Sequence, residues 1–117
     1  MESKMYPESS RELNHQRQEL APAAAAAFKA FGESVFADGA LPGKTKELIA
    51  VAVAHVTQCP YCIRGHTERA LRKGATQQEV MEAIWVAAEM RAGAAYAHSN
   101  LALDTMNQVA AKHGHTG

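Results

Sequence analysis

The run Leu48-Ile49-Ala50-Val51-Ala52-Val53-Ala54-His55-Val56 leads into Cys59-Pro60-Tyr61-Cys62, and whether it is strand or helix decides the fold. A strand feeding a CxxC helix inside a βαβ unit would be a thioredoxin-type arrangement. Alanine is abundant across the chain, β-branched runs are few, and no alternating pattern of useful length appears, so the run reads as helix. From Thr45 a short helix carries Leu48–Ala54, apolar on all sides. A helix of that kind is expected to be buried all round, in a core or a subunit interface.

The rest of the chain is helical by the same criteria. Ser9 or Ser10 caps a first helix to about Glu19, and residues 1–20 form a peripheral N-terminal element. A second helix is expected over Ala21–Phe36, with Pro22 tolerated at its start and Phe28, Phe31, Val35 and Phe36 on its apolar face. Asp38-Gly39-Ala40-Leu41-Pro42-Gly43 is dense in turn formers and marks a break. Pro60 suits a first helical turn, and the helix it opens runs to about Lys73, with Gly74 at the C′ position. Thr76-Gln77-Gln78-Glu79 has capping-box spacing and starts another helix, whose apolar side holds Val80, Ile84, Ala87 and Ala88. Arg91-Ala92-Gly93-Ala94-Ala95 is expected to bend it, with helix resuming through Leu101, Leu103 and Met106. The tail 113–117 is expected to fray. The fold class is therefore all-α, a bundle of five to six helices.

At 117 residues the chain is one domain by length, 1–117. Lysine plus arginine and aspartate plus glutamate number 12 each, giving zero formal charge, so no global field draws nucleic acid or an anionic membrane. The N-terminus lacks the apolar core and cleavage site of a signal peptide, and no apolar run is long enough to span a bilayer. A cytoplasmic location is expected, with no nucleic-acid or membrane partner. Many interior positions are Ala or Gly, which gives little bulk per helix. With the apolar helix, this points to an obligate homo-oligomer; a small monomeric bundle is the alternative.

Cys59 and Cys62 are the only cysteines, at i,i+3, and His66 follows Cys62 at i+4. In a reducing compartment such a pair is catalytic or metal-binding more often than a staple. The thiolate is the reactive form, and a helix N-terminus, a neighbouring histidine and the positive charge of Arg64 and Arg69 all favour it. The spacing also permits a disulfide, so one sulfur attacks and the other resolves. Three readings stand at this point: a redox-active pair, a structural zinc site using Cys59, Cys62, His66 and His55, and a buried structural pair. Glu47, in the first turn of the preceding helix, is either a solvated residue or a carboxylate that folds back onto His66. His55 reads as a helix-end residue, with lining the site as the alternative; Trp85 and Tyr96 as core or interface aromatics, with bounding a small apolar pocket as the alternative; His98 as partly exposed or at an interface; and His113 and His115 as inert.

Lys44-Thr45-Lys46-Glu47 with Leu48–Ala54, then Cys59-Pro60-Tyr61-Cys62 and His66, resembles the carboxymuconolactone decarboxylase superfamily, within it the alkylhydroperoxidase D (AhpD)-like branch. The spacing Glu–x11–Cys–x2–Cys–x3–His is present in full, and the similarity covers roughly Leu41 to Met106. The resemblance implies a homotrimer or homohexamer, with the Cys helix near an interface, that reduces small organic hydroperoxides. Carried over by position, Cys62 is the peroxidatic thiol, Cys59 the resolving one, and Glu47 with His66 the proton relay. It implies a thioredoxin-like or lipoyl-bearing reductant and no cofactor. Tyr61 departs from the pattern, since that position can hold a histidine of the relay. The lactone-decarboxylating branch lacks the CxxC pair, so decarboxylation is not expected. The alternatives are a non-catalytic redox sensor or accessory protein using the same disulfide, and a structural zinc protein.

Overall fold

The computed structural model describes residues 5–113, which fold entirely into α-helices and their connections: α1 Arg11–Leu20, α2 Pro22–Phe36, α3 Gly43–Thr57, α4 Pro60–Arg72 and α5 Gln77–Lys112. The all-α class expected from composition is the observed one. Residues from 114 on, His115 included, lie outside the described residues.

Local chemistry sets each boundary. Ser10 Oγ accepts the Leu13 N–H at 3.1 Å and opens α1. Pro22, its φ already fixed near the helical value, opens α2. Asp38 Oδ1 accepts the Gly43 N–H at 2.6 Å and pins the start of α3. A Cβ at Gly43 would stand 3.1 Å from the Asp38 Oδ1 that caps the helix, and would displace only the flexible end of Lys73 beside it. Gln58, in the left-handed region at φ 58°, ends α3, and the Cys59 N–H reaches back to the Ala54 carbonyl at 3.2 Å. That tight reversal lays α4 back along α3. Gly74, at φ 95°, ends the α4 segment as its C′ position anticipates. The Thr76–Glu79 capping box is complete in both directions, at 3.0 and 2.8 Å.

The core lies where α3, α4 and α5 meet, built from Val51, Ala70, Ala75 and Val80, with Leu48 and Ile84 packed against it. It is small. The radius of gyration is 21.0 Å, against roughly 13 Å for a compact domain of this length.

Two expectations need correcting. The bend at Arg91–Ala95 is absent: α5 is continuous across it. One interior glycine costs about 1 kcal/mol against alanine, and Gly93 sits among alanines with no proline to remove a hydrogen bond. Nor is Leu48–Ala54 buried all round. Val51 and Ala54 are buried, but Ile49 and Val53 are half exposed, because α4 and α5 cover only one side of α3. The same holds for α2, whose Phe28, Phe31 and Val35 stay exposed while Phe36 turns inward.

Candidate functional site

The two-residue link Gln58-Cys59 makes Cys59 the N-cap of α4, and its Sγ accepts the Cys62 N–H at 3.2 Å. Only one of two sulfurs can hold that position. The Cys62 thiol in turn hydrogen-bonds the Cys59 sulfur. These two bonds pull the Cys59 thiol below its ordinary pKa. The bond to Cys59, followed by burial, pushes Cys62 up, against a smaller pull from Arg69. Sequence alone predicted a lowered thiol at this helix end without separating the two; the cap geometry favours Cys59. Both are free thiols.

One turn beyond Cys62, His66 Nδ1 lies 2.7 Å from Glu47 Oε1. Glu47 is 2% exposed, so it is not a solvated first-turn residue. It sits one turn into α3, where the pinned N-terminus and the antiparallel return of α4 aim it at the histidine. A buried carboxylate needs a partner, and His66 supplies it. With Nδ1–H donated to Glu47, Nε2 is the ring nitrogen left for the thiol side. Arg69 Nη1 lies 3.2 Å from the same Nδ1; with the Nδ1–H donated to Glu47 and the guanidinium itself only a donor, this contact acts as a nearby positive charge. Phe36 stacks on the imidazole at 5.1 Å between ring centroids and fixes its plane.

Cys62 and His66 together line an apolar cavity of ≈ 440 Å³, walled by Val35, Phe36, Ile49 and Val53. They also line a second cavity, of ≈ 500 Å³, on the side of Arg17, Arg64 and Arg69. Tyr61 is engaged with the N-terminal segment. Its hydroxyl donates to the Pro7 carbonyl at 2.6 Å and its ring meets Tyr6 edge-on, tying the N-terminal segment to the Cys turn.

All four residues singled out from sequence are therefore neighbours, through the Cys59–Cys62 and Glu47–His66 contacts and the shared cavities. His55 is not among them; its Nδ1 bonds the Val51 carbonyl at 2.8 Å. Among the described residues, no three His, Cys, Asp or Glu side chains are grouped so as to hold a metal ion. Trp85 and Tyr96 are 68% and 82% exposed and lie in neither cavity, so they are not core in this chain. His98 is exposed, its Nδ1 on the Ala94 carbonyl. Sequence reading missed Phe36 and Arg17, which reach the site only through the packing of α2 and α1; no local pattern marks either.

Comparison with known proteins places this arrangement. A family model described as the carboxymuconolactone decarboxylase family matches residues 22–105. The "uncharacterized protein 4 in cox locus" of Paracoccus denitrificans is 66% identical over 83 residues, 71% of this chain and 75% of that one. A crystal structure from Methanobacterium thermoautotrophicum superposes with a TM-score of 0.67 at 41% identity, covering 71% of this chain and 93% of that chain. A Thermotoga maritima structure superposes with a TM-score of 0.56 at 26% identity, covering 79% of this chain and 95% of the other. It is described as a carboxymuconolactone decarboxylase family protein with a suggested part in the antioxidative response. No helix among the described residues is long and apolar enough to cross a membrane.

Proposed function

The chain belongs to the carboxymuconolactone decarboxylase family, and from that premise we propose that it is a thiol-dependent hydroperoxidase of the AhpD-like branch. The observation that carries the reading is the 2.7 Å pairing of buried Glu47 with His66, one turn from Cys62 and on the same cavity wall. A polarised imidazole beside a thiol is the arrangement that makes a nucleophile. It matters most for Cys62, whose own thiol is held above the ordinary range and so needs a base.

In this reading His66 Nε2 takes the Cys62 proton, and the thiolate attacks the terminal peroxide oxygen. The O–O bond breaks, and the alkoxide leaves with the proton returned by His66, giving an alcohol and a Cys62 sulfenic acid. The Cys59 sulfur then attacks the Cys62 sulfur. The S–O bond breaks, hydroxide leaves and takes up a proton as water, and the Cys59–Cys62 disulfide remains. Two electrons have passed from the dithiol to the peroxide. Cys59 suits the resolving step by position, since its sulfur is held at the Cys62 N–H, beside the sulfur it attacks. An external dithiol, thioredoxin-like or lipoyl-bearing, returns the pair to its reduced state by exchange.

The same reading makes the protein a single-domain, cytoplasmic homo-oligomer, trimer or hexamer. The support is the surface: Phe28, Phe31, Trp85, Tyr96, Leu101 and Met106 all lie open on a thin, extended chain. Large apolar side chains left exposed in this number are what a subunit covers with its copies. Light scattering on purified protein tests it, and a monomer at micromolar concentration would refute it.

The chemistry is tested by counting thiols before and after one equivalent of cumene hydroperoxide. Loss of both thiols of each chain, without cross-linked chains and with turnover when dithiothreitol is supplied, is expected. A single oxidation that never cycles would favour a redox sensor instead.

A further inference from the structure

Cys62 and His66 stand at the junction of two cavities with opposite chemistry. Apart from the reacting Cys62 and His66 and the Thr57 hydroxyl, which is bound to the Ala54 carbonyl, the apolar one is walled by hydrocarbon. Its single ammonium group, Lys46 Nζ, is committed to the Val35 and Ala37 carbonyls at 2.9 and 2.6 Å. At ≈ 440 Å³ it falls within the roughly 300–1,000 Å³ of small-molecule sites.

The other cavity gathers the guanidinium groups of Arg17, from α1, and of Arg64 and Arg69, from α4. Its carboxylate, Glu68, is already bound to Arg72 at 2.6 Å. Arg17 reaches only the amide oxygen of Asn14, at 3.1 Å, and Arg69 only the imidazole of His66. None of the three has a carboxylate partner among the described residues. Arg17 and Arg64, with Arg69 shared with the Glu47–His66 pair, make this concave wall favour an anion, and their planar forks suit carboxylate or phosphate oxygens. The apolar cavity, by contrast, excludes one.

We propose that the hydroperoxide reduced here is that of a single-chain anionic amphiphile, its hydrocarbon in the Val35–Val53 cavity and its acidic head on Arg17, Arg64 and Arg69. The peroxide group between the two ends then lies at Cys62. This rests on the peroxidase reading above and adds to it a direction and a head group. A small neutral hydroperoxide fills only one cavity and gains nothing from the arginines.

The test compares linoleic acid hydroperoxide, its methyl ester, the matching lysophosphatidate hydroperoxide and cumene hydroperoxide, all below their micelle concentrations. The wild type is expected to favour the acid over the ester in kcat/KM by about tenfold or more, as charge-assisted contacts imply, with the preference fading as salt is added. The phosphate analogue shows which head group is preferred; either, if well above the ester, supports the anionic subsite. The double variant Arg17→Gln/Arg64→Gln is expected to abolish the acid-over-ester preference, with a urea melt matching the wild type to show that the variant is folded. Equal rates for acid and ester in the wild type would overturn the proposal, as would a variant that loses all substrates equally. If no hydroperoxide oxidises the thiols, the peroxidase reading has failed. Calorimetry with 13-hydroxyoctadecadienoic acid and its methyl ester then decides the subsite alone. Tighter binding of the acid supports it and equal binding refutes it.

Discussion

Replacing Glu47 by glutamine separates what this residue does for stability from what it does for the reaction. Its carboxylate is 2% exposed and its one described hydrogen bond is to His66 Nδ1 at 2.7 Å. Glutamine keeps the shape and can still accept that hydrogen, but carries no charge to stabilise the imidazolium formed when Cys62 gives up its proton. General-base assistance is worth about 10²–10⁴-fold, and loss of the supporting charge should cost about 10²-fold of it. That is roughly 2.7 kcal/mol of barrier at 1.36 kcal/mol per tenfold. Stability should move by less than about 1 kcal/mol, because a buried ion costs nearly as much to desolvate as its partner returns. His66→Ala does the opposite to the same pair, stranding the carboxylate in the interior at a cost of about 3–5 kcal/mol. The double variant Glu47→Gln/His66→Ala should recover most of that stability and none of the activity. Urea melts and single-turnover oxidation of the thiols by cumene hydroperoxide, on all four proteins, complete the cycle. The reasoning fails if Glu47→Gln oxidises at the wild-type rate, or if His66→Ala is as stable as the wild type.

The thiol pair should titrate asymmetrically. Alkylation by iodoacetamide, followed residue by residue by mass spectrometry, should begin at Cys59 below the ordinary thiol range and at Cys62 above it. Cys62→Ala removes the largest cause of the Cys59 depression, so Cys59 should rise; Cys59→Ala should let Cys62 fall. Coincident profiles for the two cysteines would contradict the cap geometry. Tyr61→Phe removes the hydroxyl bond to Pro7 and should expose the N-terminal segment to limited proteolysis while leaving peroxide turnover intact; lost turnover would return Tyr61 to the proton relay. At the α5 cap, Thr76→Ala should cost about 1 kcal/mol in urea melts. Glu79 is held below the usual carboxylate range, first by the Thr76 N–H and then by Lys44. The unfolded chain therefore binds its proton at a higher pH than the native one. Its stabilisation is complete above the ordinary glutamate value and disappears as pH falls through the lowered one. The gap between wild type and Glu79→Gln in urea melts should close over that window, and a gap that persists into acid would refute the assignment.

How much of this was legible in the sequence depends on the range of the interaction. Caps and turns were, because they are settled within four or five residues: Ser10, Gly74 and the Thr76–Glu79 box stand where side-chain chemistry puts them. The dithiol with its histidine was too, since i,i+3 and i,i+4 spacings on one helix fix their own geometry. Glu47 was an open question for a physical reason. Its pairing crosses from α3 to α4, and only the reversal at Gln58-Cys59 brings the two helices antiparallel. The expected bend at Gly93 failed because a weak local penalty was set against a long run of strong helix formers. The apolar α3 run failed more instructively. Sequence could tell that Ile49 and Val53 want burial, but not that one chain lacks the helices to bury them. Val53 lines the apolar cavity beside Cys62, so whatever covers that side of α3 also closes the site from water. In the proposed homo-oligomeric peroxidase, assembly and catalysis draw on the same surface: a substitution such as Val53→Glu, which touches no group of the proton relay, should dissociate the subunits and slow peroxide reduction together. Dissociation with undiminished turnover would show that each chain's site is complete by itself.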